Sequence, residues 1–319
     1  MRLPLARKHI PLAATTAVCV LLYVAACAGY RDDNFFSWPV FVNLFGDNAF
    51  LGLAAIGATF VILSGGIDLS CGAVIGCTSI AAAALVARGV HPLVAFGLLL
   101  AAGSAFGSGM GVVIHVFRLP PFLVTLAGMF LARGLGFVIS LQAITIRHPA
   151  YERIIDFRLG GISSPALIFA AALLIAIFLA HLTRFGRTVY AIGGSESAAL
   201  LMGLPVGRTK VQVYALSGLC SAAAGLVYTL YTSSGYASAA TGLELDAIAA
   251  VVIGGTLLSG GVGYVFGTLV GVLIYGIIQT ALVFQGTLSS WWTRIAVGAL
   301  LLAFILLQKL VQRGAAGRR

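Results

Sequence analysis

Three observations predict an all-α, polytopic membrane protein. Hydrophobic residues make up 60% of the chain against 9% charged, apolar runs near 20 residues recur from end to end, and basic residues concentrate in alternate connecting loops. The 319 residues read as a single integral membrane domain spanning 1–319. The lipid bilayer is its expected surroundings.

Ten apolar segments are predicted as spans. The first, about 9 to 30, follows Arg2, Arg7 and Lys8 and runs into Val24-Ala25-Ala26-Cys27, a string resembling a lipoprotein cleavage box. Nine more apolar segments follow, so it is read as a retained span. The others fall at about 41–63, 71–87, 92–117, 121–141, 165–182, 211–232, 244–258, 265–284 and 290–308. The eighth is short for a 30 Å hydrocarbon core, and reads either as re-entrant or as buried among other helices. Trp291-Trp292 opens the last, at an interface where indole rings commonly sit.

With ten spans and the N-terminus inside, one side collects Arg2, Arg7, Lys8, Arg118, Arg184, Arg187, Arg208, Lys210, Lys309, Arg313, Arg318 and Arg319. The other has Arg31, Arg88, Arg147, Arg153 and Arg158. The positive-inside rule then predicts both termini, and the stretch 183–210, in the cytoplasm. The loop at about 142–164 becomes the main external feature. The same rule accounts for the formal charge of +10, and the scattered basic residues form no nucleic-acid groove.

An internal echo points to a parallel repeat: Leu63 to Gly76 reads LSGGIDLSCGAVIG and Leu258 to Gly271 reads LSGGVGYVFGTLVG, six identities in fourteen positions. Gly103, Gly107 and Gly111, like Gly263, Gly267 and Gly271, recur every fourth residue and leave a bare stripe for a neighbouring helix, within the chain or in another subunit.

The few polar groups within spans are candidates for a translocation path or gate. Asp68, after Gly65-Gly66, reads as a cap for the third span together with Ser70, or as a gate or a contact with a cytosolic partner. Arg133, about midway along the fifth span, is costly in lipid and should face the bundle interior or water, with Asp47, Glu244 and Asp246 as candidate partners. Asn48, Thr125, Gln279 and Gln285 are suited either to the hydroxyls of a polar solute in a pathway or to bonds with a neighbouring helix. Cys19, Cys27, Cys71, Cys77 and Cys220 are odd in number, lack CxxC spacing and read as packing residues; the five histidines are isolated. No metal site is expected, and no catalytic pair.

The polar stretch Thr183 to Lys210 interrupts this apolar text. Gly193 and Gly194 are expected to break the chain, Ser195 is a good N-cap, and Glu196 falls in the first turn, where the helix dipole favours an acid. Gly203 supplies the C′ position and Pro205 prevents continuation. The product is a rod of about two turns, roughly 10 Å long. It is too short to cross a bilayer and suits a lever seated on a cytosolic partner. The chain has no G-x-x-x-x-G-K-[ST] string, and its only lysines are Lys8, Lys210 and Lys309. If ATP drives the protein, another chain hydrolyses it.

Four strings, DNAFLGLAAIGATFVILSGGIDLS at 47–70, TLAGMFLARGL at 125–135, TRFGRTVYAIGGSESAALLMG at 183–203 and ELDAIAAVVIGGTLLSGGVG at 244–263, closely resemble the permease subunits of bacterial ribose/xylose-type ABC sugar importers. Within that family GTLSSWWTRIAVG at 286–298 looks most like the galactofuranose permeases. The resemblance implies a non-enzymatic subunit in the bacterial inner membrane, working by alternating access. It would pair with a second, paralogous permease, receive sugar from a periplasmic binding protein and be driven by a cytoplasmic ATPase that holds ATP and Mg. It also implies that Gly193 to Gly203 is the coupling helix, with Glu196, Ala198, Ala199 and Gly203 at the places of the Glu-Ala-Ala…Gly pattern and Ser197 interposed. Two alternatives stay open: transport of ribose or another pentose, and an ion-coupled secondary transporter, for which Arg133 alone is thin provision.

Overall fold

The computed structural model describes residues 10–286 and 291–316. All ten apolar segments are helical, but ten full crossings are not found. The helices α1 (Ile10–Gly29), α5 (Pro92–Val116), α6 (Pro121–Ile139), α8 (Ser164–Leu182), α11 (Val206–Thr232) and α13 (Val265–Gln285) are long and apolar enough to cross a membrane. The predicted second span is a bent pair, α2 (Trp38–Asp47) and α3 (Ala49–Leu63), which meet at 50°. The break falls at Asn48, whose φ of −101° and ψ of 10° leave the helical region. Shorter apolar helices are α4 (Cys71–Ala87) and the apolar part of α14 (Trp291–Ala316).

The eighth segment is α12 (Leu243–Ile253), 11 residues long. At 1.5 Å per residue it reaches about 17 Å, half of a hydrocarbon core. Glycines cut it at both ends: Gly242 precedes it with φ +87° and Gly255 follows with φ +94°, left-handed values that side chains rarely adopt.

Two helices form the centre. Every residue of α3 except Phe50 is buried, and α3 packs against α8, α11, α12 and α13. α11 in turn lies against α3, α4 and α5. The stripe Gly103, Gly107 and Gly111 of α5 meets Gly218, Tyr214 and Val211 of α11 backbone to backbone, so this stripe serves packing within the chain. Gly267 and Gly271 of α13 lie on Gly254 and Ala250 at the end of α12. Hydroxyl pairs add direction to these contacts: Thr59 of α3 bonds Thr268 of α13 at 2.7 Å, and Thr15 of α1 donates to the Ile253 carbonyl at 2.7 Å.

At one end of the bundle the predicted external loop folds into β1 (Ile144–Thr145), α7 (Pro149–Asp156) and a hairpin of β2 (Arg158–Leu159) and β3 (Ile162–Ser163). Tyr151, fully buried, anchors it to Thr229 near the end of α11. β4 (Ser234–Gly235) pairs with β1, after which 236–242 descends beside α4, from Ser79 to Gly76. The opposite end carries α9 (Arg184–Gly194) and α10 (Glu196–Leu201). The first turns of α1, beside Gly267, share that end. Large apolar side chains of α1, α6 and α8, such as Leu21, Phe130, Val138, Leu174 and Phe178, remain exposed on the flanks. They offer lipid an apolar surface.

The two LSGG copies stand side by side at the α9–α10 end, where the Gly261 amide donates to the Leu63 carbonyl at 2.9 Å. Gly65 and Gly260 share a left-handed backbone (φ +81° and +82°). The likeness ends there, because Gly261 is left-handed too whereas its counterpart Gly66 is not.

Candidate coupling helix and buried polar groups

The polar stretch folds as a helical pair. Thr183 caps α9 by accepting from the Gly186 amide at 3.2 Å. Gly193 and Gly194 do not break the chain; they form the last turn of α9. The interruption is Ser195 alone, extended at φ −169° and ψ 110°, whose hydroxyl accepts from the Ala198 amide at 3.2 Å and starts α10. Gly203, at φ +72°, ends it.

Burial divides α10 into two faces. Ala199 is wholly buried and clusters with Ile192 and Val206, fixing the rod to its flanks. Ser195, Glu196, Ala198, Leu200, Leu201 and Met202 are exposed, Leu201 at 91%. Three consecutive large apolar side chains on a tip outside the bundle are costly in water unless something covers them. Glu196 accepts from Lys210 at 2.7 Å, a link between α10 and α11 and the single ion pair among the described residues. Sequence spacing gave no signal for this pair, since fourteen residues and a turn separate its members.

Behind α10 lies a junction of bare backbone. A side chain at Gly193 would strike the Leu63 carbonyl and the Gly261 amide, and one at Gly260 would come within 2.8 Å of the Gly65 amide and 3.1 Å of Gly193. The last turn before the exposed rod is thus in contact with the C-terminal end of α3 and with the turn leading into α13.

Inside the bundle the candidate polar residues hold separate posts. Asp68, 3% exposed, accepts at Oδ1 from the Ser70 amide (2.8 Å) and hydroxyl (2.6 Å) and at Oδ2 from Ser217 of α11 (2.7 Å). It fixes the turn ahead of α4 instead of bonding first-turn amides of the helix. Nothing in the sequence marked Ser217, an ordinary serine in an apolar span. Thr125 of α6 donates within its own helix and lies 3.2 Å from the Ile67 carbonyl, so the same turn is held from a second side.

Arg133 makes no ion pair with Asp47, Glu244 or Asp246. Its guanidinium lies over the bare Cα of Gly76 and donates to the carbonyls of Ala237 (2.7 Å) and Ala239 (2.8 Å). One turn along α4 the Glu244 carboxylate covers Gly72, and its Oε2 is buried without a hydrogen bond. Other carbonyls of the descending 236–242 segment, such as those of Tyr236, Ser238, Ala240 and Gly242, accept from nearby amides or hydroxyls, and Arg133 serves those of Ala237 and Ala239: irregular backbone at membrane depth needs an internal donor. Asn48 donates to Leu44 at 2.9 Å and packs on Gly276. Gln285 accepts from Tyr30 at 3.0 Å. Gln279 lines a pocket between α12, α13 and α14.

The fold is therefore that of a multi-pass membrane protein with the short helix α10 presented at one end of the bundle, an arrangement fitting a transport subunit. The chain belongs to the family described as branched-chain amino acid transport system / permease component, which matches residues 40–305. It is 49% identical over 309 residues to the inner membrane ABC transporter permease protein YjfF of Escherichia coli (strain K12), covering 95% of this chain and 93% of that protein. It is 36% identical to the fructose import permease protein FruG of Bifidobacterium longum, over 96% of this chain and 92% of the relative. Identity is also 36% to the ribose import permease protein RbsC of Escherichia coli (strain K12), over 91% and 92%. No solved structure matches. The chain is a permease component of the ABC sugar importer family, a non-catalytic, multi-pass subunit of the inner membrane.

Proposed function

We propose that this chain is one of two permeases in an ATP-driven monosaccharide importer, and that α10 is the element on which the ATPase acts. The observation that carries the reading is the exposed tip Leu200-Leu201-Met202 on a rod capped at both ends and backed by the glycine junction. An apolar tip on a fixed lever matches a partner groove, and a partner that moves the lever moves the helix ends behind it. In this reading the α9–α10 end faces the cytoplasm, as the basic residues of the loops require. The ATPase holds ATP and Mg, a periplasmic binding protein delivers sugar at the opposite end, and the second permease is a paralogue. Galactofuranose is the proposed cargo, supported by the wording of 286–298 and of the 47–70 string; the ribose-named relatives favour ribose or another pentose as the second reading.

The test is reconstitution of this chain with its ATPase, second permease and binding protein in liposomes. Glu196→Arg and Gly203→Leu are each expected to cut ATP-dependent uptake at least tenfold and to uncouple hydrolysis, with insertion into the membrane unchanged. Wild-type uptake by both variants would remove α10 from the coupling path. Comparing stimulation of hydrolysis by galactofuranose and by ribose decides the cargo, and stimulation by ribose alone rejects galactofuranose.

A further inference from the structure

The pocket beside Gln279 has a chemistry that neither packing nor lipid contact requires. It measures about 310 Å³ and lies between the start of α12, the second half of α13 and the start of α14. That volume is at the small end of small-molecule sites, about 300–1,000 Å³. Its polar wall consists of Asp246, Tyr275, Gln279, Thr293 and Arg294, and Trp291 forms one side. The Arg294 guanidinium lies over the Trp291 ring at 4.9 Å, and Tyr275 donates to Asp246 at a long 3.3 Å.

Two features point to a ligand. Arg294 is exposed and Asp246 shares its cavity, yet they are not within 4 Å of each other, since the single ion pair among the described residues is Lys210–Glu196. An acid and a base placed in a membrane helix bundle without closing on each other belong next to water or a polar solute. The balance of charge then selects the solute. One carboxylate and one guanidinium give no net attraction for a phosphate or a metal ion. Planar groups that chelate adjacent hydroxyls, a carboxylate and a carboxamide as acceptors and a guanidinium as donor, beside an indole face that takes C–H surface, suit a neutral polyol.

Position agrees with this chemistry. Gln279 stands fourteen residues beyond the start of α13, about 21 Å along the helix, far from the α9–α10 end. The pocket therefore lies toward the end where, in the importer reading, a delivered sugar would enter.

We propose that Asp246, Gln279, Thr293, Arg294 and Trp291 form a sugar-binding subsite, the first station a monosaccharide meets after leaving its carrier. This proposal rests on the importer reading above. In the complete transporter, with radiolabelled ribose, fructose and galactofuranose as probes, Asp246→Asn and Gln279→Leu are expected to lower uptake of the transported sugar at least tenfold. Sugar-loaded binding protein should still stimulate ATP hydrolysis in both. Gln279→Cys and Trp291→Cys, at two exposed positions of the lining and made with the five native cysteines replaced by serine, should react with a membrane-impermeant thiol reagent added from outside. Saturating transported sugar should slow that labelling several-fold, and a non-transported sugar should not. If the wild type carries none of the three probes, the importer reading itself falls. If the wild type transports but the substitutions leave uptake intact, or sugar leaves both labelling rates unchanged, the subsite is refuted and the importer reading stands.

Discussion

Asp68 shows how one carboxylate sets the shape of a membrane subunit. Buried and without a basic partner, it relies on three hydrogen bonds, two from Ser70 and one from Ser217, and charge-assisted bonds of this kind are the strong ones. Removing the Ser217 hydroxyl leaves Oδ2 unsatisfied, which costs about 1–3 kcal/mol. Ser217→Ala is therefore expected to lower the thermal midpoint of the purified complex in detergent, whereas Ser108→Ala, which loses only a bond within α5, should change it little. The sequence led to Asp68 and Ser70 as neighbours in one turn. It did not lead to Ser217, because a contact across 149 residues has no local signature. Arg133 shows the same limit. Its cost in lipid was readable, but its partners are carbonyls that every residue carries, so composition selected carboxylates that it does not bond.

At the scale of elements, the capping of α10 was legible in residue types: Ser195 at the start, Gly203 at the stop. The role of the glycine pair was not, since a doublet of glycines reads as a break until its surroundings are known. The two glycines then separate by a simple test. Gly193 is jammed against the Leu63 carbonyl, while Gly194 has open space where a Cβ would stand. Gly194→Ala should be tolerated in transport, with a gain in helix propensity of up to about 1 kcal/mol. Gly193→Ala should displace α9 from the end of α3 and lose uptake. Equal uptake by the two variants would show that the junction does not matter. On α10 itself, Leu201→Glu should weaken co-purification of the ATPase without lowering the amount of this chain in the membrane. The bend between α2 and α3 was less legible, since hydropathy counts apolar residues and is blind to the dihedral angles of Asn48, whereas the short run at 244–258 already marked α12 as less than an ordinary span.

For the whole molecule, hydropathy found every apolar helix of the described residues, and the fold places α9 and α10 at one end and the β1–β4 and β2–β3 pairs at the other. A sided experiment follows. With native cysteines replaced, Leu201→Cys is expected to react with an impermeant thiol reagent only when the cytoplasmic face is open to it, and Leu159→Cys, 61% exposed on its hairpin, only from the periplasm. Reaction of both from the same side would overturn the proposed orientation.

The meeting of Gly65, Gly193 and Gly260 has a further consequence, for how such a chain can change over time. Most interior contacts drift by trading one side chain for another of like volume, a large residue shrinking as its neighbour grows. Where main chain rests on main chain there is no volume to trade: any Cβ at Gly193 or Gly260 meets backbone atoms that cannot turn aside. Related permeases should thus be free to vary the exposed tip while the joint behind it stays glycine.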